Sequence, residues 1–207
     1  MTKIYNLNSL SKMDYLLIIN ALKEGAVAVL PTDTVYGVTV CASGAGALDK
    51  LNKTKHNPSD KPAQVLCTLE QAAQYAAADD KFNAVAAKFW PGALTIVAKS
   101  SAKGAAILGG SPTIGLRVPD SSFMLGIMEV LQSPLLASSA NMHTSPVCAT
   151  EEEVKNVFEG VLDIIVLNGN ISTRPSAVID LSAEGIKIIR SGDLDTAAIE
   201  KLVSQYK

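Results

Sequence analysis

Arg117 stands in the run Ile114-Gly115-Leu116-Arg117-Val118, and a guanidinium there can pair with a carboxylate through two parallel hydrogen bonds. Strand alternation equally allows an arginine on the outer, solvated face. Lys53, Lys55 and Lys61 fall close together, as a basic loop suited to phosphate oxygens or as an ordinary charged surface. Arg190, near the end of another apolar run, can reach phosphates from a second side. Thr113, Ser139, Asn141 and Ser176 add neutral donors and acceptors, though small hydroxyls at strand ends also serve simply to start loops. Thr32 and Thr34 follow Pro31, placed either to touch a ligand or to satisfy the backbone of a turn. Tyr36 offers a ring for a pocket wall and a hydroxyl for a polar group, or else a half-buried core side chain.

The elements that must position these groups alternate between helix and strand. Ser11 precedes Met13, Leu16, Leu17 and Ala21 at helical spacing over 12–24, and Gly25 supplies a stop. Residues 26–30 read as a buried strand ended by Pro31, so Pro31-Thr32-Asp33-Thr34 forms a loop at a strand end. Helices are expected near 45–51, 70–78, 82–89 and 123–131, and strands near 64–69, 94–98, 114–118 and 135–138. Thr150 with Glu153 has the spacing of a capping box, strands follow at 164–167, 177–181 and 186–189, and Asp195 can cap a last helix. The pattern is mixed α and β. The polar segments 53–61, 100–112, 141–150 and 168–176 are the expected loops, several of them following strands, where open α/β sheets place ligands.

Composition narrows the setting. A length of 207 residues, with 48% hydrophobic and 18% charged residues, suits a globular fold of one domain over 1–207, and no repeat or low-complexity tract appears. The longest apolar runs are far shorter than the ~20 residues that cross a bilayer, and the first residues lack a secretory pattern, so a cytoplasmic protein without membrane attachment is expected. Cys41, Cys67 and Cys148 are isolated, as in a reducing compartment, and with two histidines they give no zinc spacing. A net charge of −2 provides no general attraction for polyanions. The chain contains neither G-x-x-x-x-G-K-[ST] nor G-x-G-x-x-G, so a nucleotide would have to be held differently. A serine hydrolase built on Ser139 and His143 lacks the G-x-S-x-G elbow.

Read in order from about Ala26 to Gly192, the loops resemble the TsaC/YrdC family of threonylcarbamoyl-AMP synthases. Pro31-Thr32-Asp33-Thr34-Val35-Tyr36-Gly37 looks like its P-T-[DE]-T-x-Y-G signature, and Lys53-Thr54-Lys55 lies where K-x-R is usual. Trp90-Pro91-Gly92-Ala93-Leu94-Thr95 is similar to W-P-G-P-x-T, and Gly115-Leu116-Arg117-Val118-Pro119 to G-x-R-x-P. Ser139-Ala140-Asn141 matches S-x-N, Pro175 to Asp180 resembles P-S-T-V-V-D, and Arg190-Ser191-Gly192 resembles R-x-G. Two departures stand out. Lys55 replaces an arginine, keeping the charge but losing the planar fork. Met142-His143-Thr144-Ser145 replaces a Ser-Gly pair after Asn141, with His143 as a substitute donor or a plain loop residue.

The resemblance implies an α/β (mixed α+β) fold: a twisted, mixed open sheet with flanking helices and a large concave cleft, in the short form of the family. It implies that L-threonine, bicarbonate and ATP become threonylcarbamoyl-AMP and pyrophosphate, with partner proteins passing the threonylcarbamoyl group to tRNA. Lys53, Lys55 and Arg117 would then act at the reacting groups. Thr32, Tyr36, Lys61, Arg117, Ser139 and Ser176 would hold threonine, and Lys53, Lys55, Thr113, Asn141 and Arg190 would hold ATP. Magnesium would arrive on the ATP phosphates, with no dedicated metal site in the protein. The competing reading, motivated by the two departures, is a paralogue of the same fold that binds RNA or assists other proteins without synthase activity.

Overall fold

The computed structural model describes residues 1–59 and 61–206. The chain runs β1 (Lys3–Asn6), α1 (Lys12–Lys23), β2 (Val27–Pro31), β3 (Tyr36–Cys41), α2 (Ala47–Thr54), β4 (Gln64–Leu66), α3 (Leu69–Tyr75) and α4 (Asp80–Phe89). It continues through β5 (Leu94–Lys99), α5 (Ala102–Ile107), β6 (Thr113–Arg117), α6 (Ser122–Leu131) and β7 (Leu135–Ser139). The last elements are α7 (Glu151–Phe158), β8 (Ile164–Leu167), β9 (Ala177–Asp180), β10 (Lys187–Arg190) and α8 (Thr196–Val203).

Among the described residues, ten strands join one mixed sheet in the order β1-β8-β2-β3-β7-β4-β6-β5-β9-β10. Parallel pairs (β1 with β8, β8 with β2, β4 with β6, β5 with β9) are interspersed with antiparallel ones. Alternation gives the sheet two faces of different character. On one, Val29, Val38, Val65, Ile96, Leu116 and Ile179 are covered by Leu51 of α2, Tyr75 of α3, Val85 of α4, Phe158 of α7 and Ile199 of α8. On the other, α1 and α6 lay Ile18, Leu22, Met124 and Met128 over Leu30, Cys41, Leu135 and Val166. That cover does not extend over β6, β5 and β9, whose second-face side chains line a cavity instead.

Local chemistry sets the helix starts. Ser11 with Asp14, Thr68 with Gln71 and Thr150 with Glu153 each form a reciprocal capping box, which satisfies two otherwise orphaned N–H groups at each start. The cap at Thr68 ends β4 at Leu66, earlier than the strand expected over 64–69. The structure corrects three further expectations. β1 and β3 were not anticipated, and α5 lies inside the 100–112 segment expected to be loop. β2 includes Pro31, paired with Tyr36 across a tight connection; as the terminal strand residue, proline costs the ladder little. No helix among the described residues is long and apolar enough to cross a membrane.

Candidate functional site

Five strands drawn from distant parts of the chain meet in one register row. Ala137 of β7 pairs with Gln64 of β4, Gln64 with Gly115 of β6, Gly115 with Val97 of β5, and Val97 with Asp180 of β9. All five line a cavity of about 610 Å³, within the usual size of small-molecule sites. Gly115 keeps the middle of this floor low, because a side chain there would rise beside Thr95 and Val97. Same-face neighbours supply polar groups: Thr95 on β5, Thr113 and Arg117 on β6, and Ser139 on β7. Lys61, Pro62 and Leu108 form one rim, and Ser176, Ile189 and Arg190 another.

Arg117 is 2% exposed, which rules out the solvated outer position allowed by alternation alone. Its Nε donates to Gly92 O at 3.0 Å, one terminal nitrogen to Thr34 Oγ1 at 2.7 Å, and the other to Asp33 Oδ1 at 2.6 Å. Burial lowers the arginine's pKa, and the Asp33 charge opposes that shift. Three of five N–H donors are thereby committed, leaving one on each terminal nitrogen. Thr32 braces this arrangement from behind. Its hydroxyl donates to Val35 O at 2.7 Å, accepts from the backbone N–H of Thr34 and Val35, and lies 3.1 Å from Thr34 Oγ1.

On the far wall Ser176 Oγ and Thr95 Oγ1 share a hydrogen bond of 2.8 Å, and Gln64 Nε2 donates to Thr95 Oγ1. Arg190 Nε donates to Ser176 O at 2.8 Å. Its pKa is lowered, first by burial and then by the charge of Arg117, so two guanidiniums feel one another across a shared space. That arrangement favours an anion between them. Gly192 is required here: its φ is +59°, and a Cβ would lie 2.5 Å from Ala177 N.

The sequence-predicted residues therefore divide. Lys61, Thr113, Arg117, Ser139, Ser176 and Arg190 line the cavity together. Thr32 and Asn141 sit one step behind it, bonded to Thr34 and Ser139. The three lysines do not form one basic loop. Lys53 is exposed in the last turn of α2, Lys61 reaches the rim, and Lys55 is 1% exposed, with Nζ donating to Ser138 Oγ, Ser139 O and Asn141 Oδ1. Burial first, then the charge of Lys61, lowers Lys55 to about 8. Tyr36 does not line the cavity: β3 alternation turns it with Val38 into the core, where its hydroxyl donates to Gly169 O at 2.7 Å and accepts from Asn168 N at 2.8 Å. Sequence reasoning gave no role to Asp33, Gln64, Thr95 or Asp180. Asp33 and Thr95 lie inside the quoted motifs, and the parity of β4 and β9 was the available signal for the other two. Among the described residues, no group of three or more His, Cys, Asp or Glu is placed to hold a metal ion.

The family model for Sua5, YciO and YrdC, described as telomere recombination, matches residues 20–192. The chain belongs to this family. A threonylcarbamoyl-AMP synthase of Pyrococcus abyssi is 30% identical over 90% of this chain and 56% of that protein. One of Rattus norvegicus is 32% identical over 83% of this chain and 64% of that protein. The structure of P. abyssi Sua5 complexed with L-threonine matches with a TM-score of 0.89 at 28% identity, covering 97% of this chain and 61% of that one. The structure of Escherichia coli YciO has the same fold, with a TM-score of 0.84 at 23% identity over 95% of this chain and 98% of that one. Against the P. abyssi synthase this Sua5/YciO/YrdC member spans little more than half the length.

Proposed function

We propose that the cavity binds L-threonine beside ATP and, with bicarbonate, forms threonylcarbamoyl-AMP and pyrophosphate. The observation that carries this reading is the Arg117 guanidinium, buried in the cavity lining and held by Asp33, Thr34 and Gly92, with one further N–H on each terminal nitrogen that makes no hydrogen bond among the described residues. Those two donors suit the threonine carboxylate. Carbamate formation joins the threonine nitrogen to bicarbonate carbon with loss of water. A carbamate oxygen then attacks the α-phosphorus, and the bond to pyrophosphate breaks. The protein's task is to hold the two reactants in line and to offset charge. Arg190 and Lys61 supply cations on opposite rims, Thr113 a neutral contact to nucleotide, and Ser139 and Ser176 contacts to the amino acid. The pairing with a protein complexed with L-threonine supports the same assignment.

Magnesium would come with the triphosphate; among the described residues that line the cavity Asp180 is the one carboxylate, and it would be the group available to the ion's water shell. The product passes to proteins that transfer threonylcarbamoyl to tRNA. The test is incubation of purified protein with labelled ATP, L-threonine and bicarbonate. Threonine-dependent pyrophosphate and threonylcarbamoyl-AMP support the reading. Absence of product at high enzyme concentration refutes it, and RNA binding that weakens with salt would then favour the accessory role.

A further inference from the structure

An ammonium group has three donors and no acceptor, and Lys55 spends its three on neutral oxygens. Nζ reaches Ser138 Oγ at 2.7 Å, Ser139 O, and Asn141 Oδ1 at 3.1 Å. This dictates which way the Asn141 amide faces, because its NH2 group turned toward the ammonium would set donor against donor. Nδ2 accordingly points outward and donates to Ser145 O at 2.7 Å. Oδ1, turned inward, has a second lone pair, and Ser139 Oγ donates to it at 2.7 Å. A serine hydroxyl owns one proton. With that proton committed to Asn141, the Ser139 oxygen shows the cavity only lone pairs.

We propose that Lys55 is a positioning residue which, through Asn141, fixes the Ser139 hydroxyl as a hydrogen-bond acceptor toward the cavity. The point beside Ser139 thus receives an N–H or O–H of the bound molecule and repels a carboxylate or phosphate oxygen. The identity of that molecule as threonine rests on the function proposed above; the hydrogen-bond polarity does not. The main chain strengthens the link, since His143 N donates to Lys55 O at 3.1 Å and ties the loop after Asn141 to the same residue. The lysine at this place is therefore turned inward to set a polarity, a task for which its single point of charge suits it better than a planar fork.

The lock depends on the proton. Desolvation, followed by the charge of Lys61 from the rim, lowers Lys55 to about 8, while Cys148 from the segment after the loop acts in the opposite direction. A neutral amine carries a lone pair and accepts from Nδ2 as readily as it donates to Oδ1. Above that pH the amide is free to turn and the Ser139 proton is released.

The test uses the full chain with Lys55→Met and Ser139→Ala, singly and together, and Lys55→Arg. Each single change is expected to raise the threonine KM about tenfold, the value of one hydrogen bond, with kcat nearly unchanged. The double variant is no worse than either single one, because both remove the same contact. Lys55→Arg, which also lacks an acceptor, restores most of the affinity. Wild-type KM rises between about pH 7 and about pH 9, and the Lys55→Met value does not. Multiplicative effects in the double variant, or Lys55→Arg no better than Lys55→Met, overturn the proposal. A ligand-free measurement separates it from the synthase reading: exchange of the Asn141 side-chain amide, corrected for base catalysis, should accelerate past about pH 8 in the wild type. A protein with that acceleration but no turnover refutes the synthase and upholds the lock. An amide indifferent to pH overturns the lock, whatever the turnover.

Discussion

Replacing Asp33 by asparagine removes the counter-charge of Arg117 while keeping an oxygen in the same place. The two side chains are 14% and 3% exposed and meet at 2.6 Å. Losing one partner of a buried pair costs about 3–5 kcal/mol, because the other charge is left uncompensated. Here the amide oxygen can still accept from the guanidinium, and Thr34 and Gly92 keep their bonds, so a loss of about 2–3 kcal/mol is expected. For a chain of this size that corresponds to a fall in Tm of about 4–12 °C. The sharper readout is ligand-dependent. Arg117 in Asp33→Asn needs an anion more than in the wild type, so L-threonine should raise the Tm of the variant by more than it raises that of the wild type. Thermal melts with and without threonine, and with 1-aminopropan-2-ol as the same amino alcohol lacking the carboxylate, measure this. Equal threonine shifts in the two proteins, or a shift of equal size with the carboxylate-free amine, would refute the pairing of Arg117 with substrate.

Gly115→Val should fold, because its Cβ meets Thr95 and Val97 at ordinary distances of 3.5 and 3.7 Å. We expect a stability loss of about 1–2 kcal/mol and, by calorimetry, at least about tenfold weaker ligand binding as the branched side chain fills the cavity floor. Gly192→Ala forces a left-handed residue against the Ala177 backbone and should cost about 2–4 kcal/mol in denaturant unfolding; a neutral effect would mean that this turn can move. Lys55 gives a pH signature of stability. Its folded pKa of about 8 lies below the ordinary 10.5, so the folded state carries the full penalty at pH 7 and sheds it as pH rises through that window. The unfolding free energy of wild type relative to Lys55→Met should therefore rise by about 3 kcal/mol between about pH 7.5 and about pH 10.5. A flat difference refutes the assigned burial cost.

Strand parity made much of the site readable. Once residues 113–117 are a strand, Thr113, Gly115 and Arg117 must share a face, and the same holds for Thr95 with Val97. Parity could not tell which face was covered. Arg117 looked equally like a solvated residue because its partner Asp33 is 84 positions away. The resemblance put Tyr36 among the threonine contacts; with β3 unrecognised behind the Pro31 to Gly37 motif, parity was not available to choose the core position that the residue itself left open. Lys55 reads as surface beside Lys53, yet α2 ends at Thr54 and the next residue turns inward. α5 escaped notice since Gly104 breaks its apolar pattern. That glycine answers a tertiary need, as a Cβ there would stand 2.0 Å from Tyr75 O.

The row from Ala137 through Gln64, Gly115 and Val97 to Asp180 has a kinetic corollary. Its neighbours are sewn together from segments spread between positions 64 and 180, so loop-closure entropy must be overcome several times before any floor exists. An intermediate holding only β2, β3 and α1 would have a hydrophobic nucleus and no binding surface at all. Ligand capture during refolding should lag the recovery of secondary structure and mark the last strand to dock.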